Sequence, residues 1–84
     1  MNQIEWKNKA RKDLKRIDKD ERVKILDAVD GLADFSKNPN VKKLVNHGSD
    51  YRLRIGNYRI LFNHESVVKV VSIEGVKKRD GKTY

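Results

Sequence analysis

Apolar residues recur at helical spacing in the first half of the chain and at a period of two in the second half. Ala10, Leu14 and Ile17 stand at i, i+4 and i+7, which predicts a helix from about Asn8 to Ile17 with one apolar stripe. Lys7, Lys9, Arg11, Lys12, Lys15 and Arg16 cover the rest of it. Asp18-Lys19-Asp20 supplies turn and N-cap residues for a second helix from about Asp20 to Phe35. Ile25, Leu26, Val29, Leu32 and Ala33 form its expected buried face. Two helices with so short a joint read as a helical hairpin. Residues 2–6 are compatible with a short strand that carries Ile4 and Trp6 on one face, with Trp6 in the core. The single proline, Pro39, sits in Ser36-Lys37-Asn38-Pro39-Asn40, a loop that separates the helical half from the strand half.

In the second half Tyr51, Leu53 and Ile55 alternate with Arg52 and Arg54. Tyr58, Ile60 and Phe62 alternate with Arg59, Leu61 and Asn63. Between the runs lies Gly56-Asn57, a two-residue connection suited to a tight hairpin. That turn predicts a register of Ile55 opposite Tyr58, Arg54 opposite Arg59, Leu53 opposite Ile60, Arg52 opposite Leu61 and Tyr51 opposite Phe62. A third strand is expected over about Val67 to Glu74. Helices followed by strands predict an α+β fold, with an N-terminal helical hairpin packed on a small, mainly antiparallel sheet of three to four strands.

Composition narrows the setting. At 84 residues the chain reads as a single domain, 1–84. It has no cysteine, which excludes disulfides, zinc fingers and thiol catalysis and favours a reducing cytoplasm. No apolar stretch approaches the ~18 residues of a membrane span, and the N-terminus lacks the apolar block of a signal peptide. The net charge of +8 favours a polyanionic partner.

The placement of the arginines sharpens that expectation. The predicted register puts Tyr51, Leu53, Ile55, Tyr58, Ile60 and Phe62 on the face turned to the helices. Arg52, Arg54 and Arg59 share the opposite face. Arg54 directly across from Arg59 is destabilising by up to about 1 kcal/mol. An anion between the two guanidiniums reverses the sign, because arginine forks match phosphate oxygens. The competing reading is a solvated arginine face screened by salt. The run Val76-Lys77-Lys78-Arg79-Asp80-Gly81-Lys82-Thr83-Tyr84 follows the third strand and adds four cations and a ring able to stack on a base.

The segment Tyr51-Arg52-Leu53-Arg54-Ile55-Gly56-Asn57-Tyr58-Arg59-Ile60-Leu61-Phe62, a valine-rich strand and a basic run closing on tyrosine together resemble the RelE branch of the RelE/ParE toxin superfamily. Residues 10–17 and 25–28 are similar to that family's first two helices, and Val41-Lys42-Lys43-Leu44 to its approach to the sheet. The resemblance implies the toxin of a bacterial toxin–antitoxin pair that enters the ribosomal A site and cuts mRNA. The implied chemistry is attack of the nucleotide's own 2′-hydroxyl on the adjacent phosphate, with no metal or other cofactor. By the same resemblance Arg52 and Arg54 bind phosphate and neutralise charge, as clamps rather than bases. Arg59 holds the scissile phosphate. Lys78, or Arg79 one step along, is the second catalytic cation that acts on the leaving 5′-oxygen. Tyr84 stacks on the base or helps remove the 2′-proton. Lys43 and Lys77 are further phosphate-binding candidates. The implied partners are ribosome-bound mRNA, ribosomal RNA of the 30S A site and an acidic antitoxin in a hetero-oligomer.

Histidine titrates in the range useful for acid–base work, so His47 and His64 are natural rivals. A turn at Glu65-Ser66 would place His64 at a hairpin tip far from the arginines, and it reads as structural. His47 reads as a loop residue, with substrate contact from the loop left open. Asp18, Asp20 and Glu21 read as cap and surface charge rather than metal ligands. Two other functions stay open: a ParE-like inhibitor of DNA gyrase acting by protein binding, and a non-catalytic RNA- or antitoxin-binding module.

Overall fold

The computed structural model describes residues 1–45 and 48–78. In chain order the elements are β1 (Gln3–Trp6), α1 (Asn8–Lys15), α2 (Lys19–Asp30), a 3-10 turn (Gly31–Asp34), β2 (Val41–Lys43), β3 (Tyr51–Ile55), β4 (Tyr58–Glu65) and β5 (Val70–Lys78). The strands form one five-stranded sheet in the order β1-β5-β4-β3-β2. All neighbours are antiparallel except β1, which runs parallel to β5. The α+β expectation holds, with a larger and mixed sheet. The segment expected as the approach to the sheet is itself the edge strand β2.

α1 ends early because the chain tightens: the Arg16 and Ile17 amides donate to Asp13 and Leu14, three residues back. Asp18 occupies the N-cap position of α2 but makes no side-chain cap hydrogen bond. Asp20 and Glu21 fall in the first turn, where negative charge complements the helix dipole. α2 stops at Asp30 rather than reaching Phe35, with Gly31 at its C-cap. Phe35 is thereby freed to turn its ring into the sheet. Leu26 is exposed rather than buried, since it lies a third of a turn round from Ile25 and only one side of α2 meets the sheet.

The core lies between the helices and one sheet face. Ala10, Ile25, Val29 and Leu32 come from the helical half; Leu53, Ile60, Phe62, Val71, Ile73 and Val76 come from the strands. Trp6 is half-buried and packs against this cluster. An aromatic group closes one end. Phe35 meets Tyr51, Phe62 and His64 edge-on at centroid distances of 5.3, 5.3 and 5.1 Å, and Tyr51 stacks on its cross-strand partner Phe62 at 5.4 Å.

The third strand begins later and runs further than expected. Val67 and Val68 have strand-like side chains but sit in the turn, 92% and 67% exposed, and the turn closes through Lys69 at φ 56°. Within β5 the register slips: Phe62 pairs with Ile73 but Leu61 pairs with Gly75, which leaves Glu74 as an extra residue. Such a bulge reverses which later residues face the core. Val71 and Ile73 face the helices before it, and Val76 and Lys78 after it.

β1 ends opposite Ile73, so the last residues of β5 lose their strand neighbour. α1 takes its place. Asp13 Oδ2 accepts the Val76 amide at 3.1 Å and the Lys9 ammonium at 3.1 Å. Gly75 lies beneath this contact, where a Cβ would come within 3.3 Å of the flexible Lys9 Nζ. Burial pushes the Asp13 pKa up, but the Val76 hydrogen bond, Lys9 and Arg16 outweigh it, and the net shift is downward. A depressed carboxylate pKa contributes stability above its ordinary value and loses it as pH falls through the folded value. Asp13→Asn should therefore cost about 1–2 kcal/mol at neutral pH, by weakening a charge-assisted bond. In urea denaturation the gap should close on acidification to below the ordinary aspartate range; an equal gap at neutral and acid pH would contradict this role.

Candidate functional site

The β3–β4 hairpin has the register set out from sequence, pair for pair: Arg54 lies opposite Arg59, and Arg52 opposite Leu61. Gly56 takes φ 53° in the connecting turn, the left-handed region that its lack of a Cβ allows. Arg52, Arg54 and Arg59 therefore share the sheet face that the helices leave uncovered. The structure extends this group on both sides. Lys77 pairs with Arg59 from β5, and Lys42 pairs with Arg52 from β2. One row across the sheet is Arg54, Arg59, Lys77. The neighbouring row begins Lys42, Arg52 and continues to Leu61.

Among the described residues no carboxylate pairs with any of these five cations; the ion pairs join Lys7 to Glu5, Lys9 to Asp13 and Lys24 to Glu21. Arg59 is half-buried at the centre of its row, and its Nε is buried with no hydrogen-bond partner among the described residues. An unsatisfied buried donor costs about 1–3 kcal/mol. Three like charges in adjacent cross-strand positions add to that cost. An anion on this face would satisfy the donor and neutralise the repulsion together. Beside the row, Lys42, Arg52 and Arg54 line a recess of about 100 Å³ with Pro39 and Asn40.

The remaining candidates divide. Lys43 pairs with Tyr51 and so lies on the helix side of the sheet; Lys42, which sequence reasoning passed over, holds the position on the cation face. Lys78 pairs with Tyr58 and lines a helix-side cleft of about 440 Å³ beside Asp13, Arg16 and Asp18. The bulge at Glu74 causes this. Unbroken alternation from Ile73 would put Lys78 with the arginines, whereas the extra residue puts Lys77 there. Arg79, Tyr84 and His47 lie outside the described residues. His64 is a strand residue rather than a hairpin tip. It pairs with Val71 on the helix side, its Nε2 lies 3.0 Å from Asn2 Oδ1, and it is not brought to the cation face.

Residues 4–79 match the family model described as the ParE toxin of the type II toxin–antitoxin system parDE. The chain belongs to the RelE/ParE toxin superfamily. It is a toxin of a type II toxin–antitoxin system. Solved structures carry the same fold. The toxin is similar to a chain of the archaeal RelE–RelB complex from Pyrococcus horikoshii at 26% identity and TM-score 0.76, covering 98% of each chain. It is similar to the isolated E. coli RelE toxin at 14% identity and TM-score 0.81, covering 99% of this chain and 89% of that one. A chain of the RelBE2 toxin–antitoxin complex from Mycobacterium tuberculosis matches at 20% identity and TM-score 0.80, covering 93% of this chain and 98% of that one. No curated protein matches.

Proposed function

We propose that this toxin is a RelE-type endoribonuclease that cuts mRNA in the ribosomal A site by attack of a 2′-hydroxyl on the neighbouring phosphate. The observation that carries the proposal is the row Arg54–Arg59–Lys77 around the unpartnered Arg59 Nε. Arg59 holds the scissile phosphate. Arg54 and Lys77 stand on either side of it and stabilise the charge that grows on the equatorial oxygens as the phosphorane forms. Guanidiniums stay protonated at working pH, so they clamp rather than shuttle protons. Of the end-of-chain candidates, Tyr84 takes the 2′-proton and Arg79 stabilises charge on the leaving 5′-oxygen, which is protonated by water; Lys78 faces the helix side of the sheet and is not beside this row. The chemistry on these residues uses no metal or cofactor.

Partners follow from the same surface. The toxin acts in the cytoplasm on ribosome-bound mRNA, and its basic surface meets ribosomal RNA. An acidic antitoxin in a hetero-oligomer covers the cation face and holds the toxin inactive; the RelE–RelB assemblies support this reading. Three phosphate contacts on single-stranded RNA imply a log–log salt slope of about −2. Titration of ribosome binding against salt should show at least that slope, and a flat response would count against RNA as the target.

The family model's ParE name favours a second reading, a gyrase inhibitor that works by protein binding. A docking surface of that kind has no need of three adjacent cations about a buried donor. The two readings separate on purified ribosomes programmed with a defined mRNA. Cleavage inside the A-site codon, with a 5′-hydroxyl on the downstream fragment, supports the nuclease. Intact mRNA, with double-strand breaks accumulating in a parallel gyrase reaction, supports the inhibitor.

A further inference from the structure

The recess beside the catalytic row shares Arg54 with it and takes its other residues from β2, β3 and the loop before β2. Its floor is the outer sheet edge, where β2 pairs with β3 and Lys42 faces Arg52. Its wall is the loop at Pro39 and Asn40, held by the Arg54 amide, which donates to the Asn40 carbonyl at 3.0 Å. Lys42 and Arg52 form a second like-charged cross-strand pair with no carboxylate partner among the described residues. The recess, at about 100 Å³, admits one tetrahedral anion and little more. Arg54 belongs to both sites: it faces Arg59 across the hairpin and also lines the recess.

Spacing connects the two sites. Residues i and i+2 on a strand are about 7 Å apart and neighbouring strands about 4.8 Å apart, so on the diagonal Arg52 lies about 8 Å from Arg59 and Lys42 about 12 Å. Successive phosphates on one nucleic-acid strand have a separation close to the shorter of these. The long guanidinium and ammonium side chains span the difference, so a strand with one phosphate on Arg59 can set the next against Arg52 and Lys42 in the recess.

We propose that the recess formed by Lys42, Arg52, Arg54 and Asn40 is a second phosphate site, which binds the phosphate adjoining the scissile one and sets the direction in which the RNA strand crosses the sheet. This rests on the nuclease reading above. Lys42 is then a specificity-determining contact of the substrate strand, with no part in the bond-breaking step.

The test uses full-length toxin and ribosomes programmed with mRNAs in which one phosphate, on either side of the scissile one, is a neutral methylphosphonate. Single-turnover cleavage is measured for wild type, Lys42→Ala and Arg59→Ala. Lys42 is exposed on an edge strand, and its removal leaves the core intact. For wild type, neutralising one particular neighbour should slow cleavage about 10-fold, equivalent to about 1.4 kcal/mol, and neutralising the other should do far less. Lys42→Ala should slow cleavage of unmodified mRNA by a similar factor and abolish the further loss from that one methylphosphonate. If the two losses multiply, or both neighbours matter equally to Lys42, the second site is overturned while cleavage itself stands. If wild-type toxin leaves the programmed mRNA intact, the nuclease reading falls and takes the second site with it; if Arg59→Ala cleaves like wild type, Arg59 does not hold the scissile phosphate and the second site, placed relative to it, is overturned.

Discussion

Arg59→Ala is expected to slow cleavage of ribosome-bound mRNA by roughly 10²–10³-fold, the usual loss when one preorganised donor to a developing oxyanion is removed. Arg59 holds the centre of the row, with Arg54 on one side, Lys77 on the other and its own Nε buried without a partner. No neighbour can take over the position, because each is committed to its own strand. Arg59→Lys keeps the charge but loses the planar fork, so it should recover only part of the rate. The assay is single-turnover cleavage at saturating toxin, which separates the chemical step from ribosome binding. A rate within about 3-fold of wild type would remove Arg59 from the reaction.

Phe62→Ala should be the most damaging core substitution. Phe62 is fully buried, stacks on Tyr51 and receives the edge of Phe35, so it joins the sheet to the loop that follows α2. Truncating a buried phenylalanine costs about 3–5 kcal/mol. A domain of this size has about 5–15 kcal/mol in all. The thermal midpoint should fall by at least about 12 °C. A fall below about 5 °C would mean that the aromatic group relaxes to fill the space.

The hairpin was legible in the sequence because two independent constraints agree. Gly56-Asn57 sets the turn, and the alternation of Tyr51 to Ile55 with that of Tyr58 to Phe62 permits only one register with the apolar residues inward. The cation face follows from that register. Other features leave weaker traces. β2 is three residues long and two of them are lysines, so its period is too short to separate Lys42 from Lys43. β1 pairs in parallel with a strand at the far end of the chain, a contact that no local pattern encodes. The bulge at Glu74 matters most for function. It is signalled only by Gly75, and it exchanges Lys78 for Lys77 beside Arg59. The exposed Val67 and Val68 show the same limit, since β-branched residues at a hairpin tip imitate a strand start.

On the nuclease reading, the cations on the open sheet face are arranged for an anion at the expense of the fold. The thermal midpoint of wild type, Arg54→Ala and Arg59→Ala tests it, measured with and without a short 2′-O-methyl oligoribonucleotide that cannot be cleaved. In buffer alone both variants should melt at or above wild type, since each loses a like-charge contact worth up to about 1 kcal/mol. With the oligonucleotide at about 100 times its dissociation constant, wild type should gain about 2.7 kcal/mol, and both variants should lose most of that gain. Variants that melt below wild type in buffer, yet rise with RNA as wild type does, would show that these arginines serve the fold and not a bound phosphate.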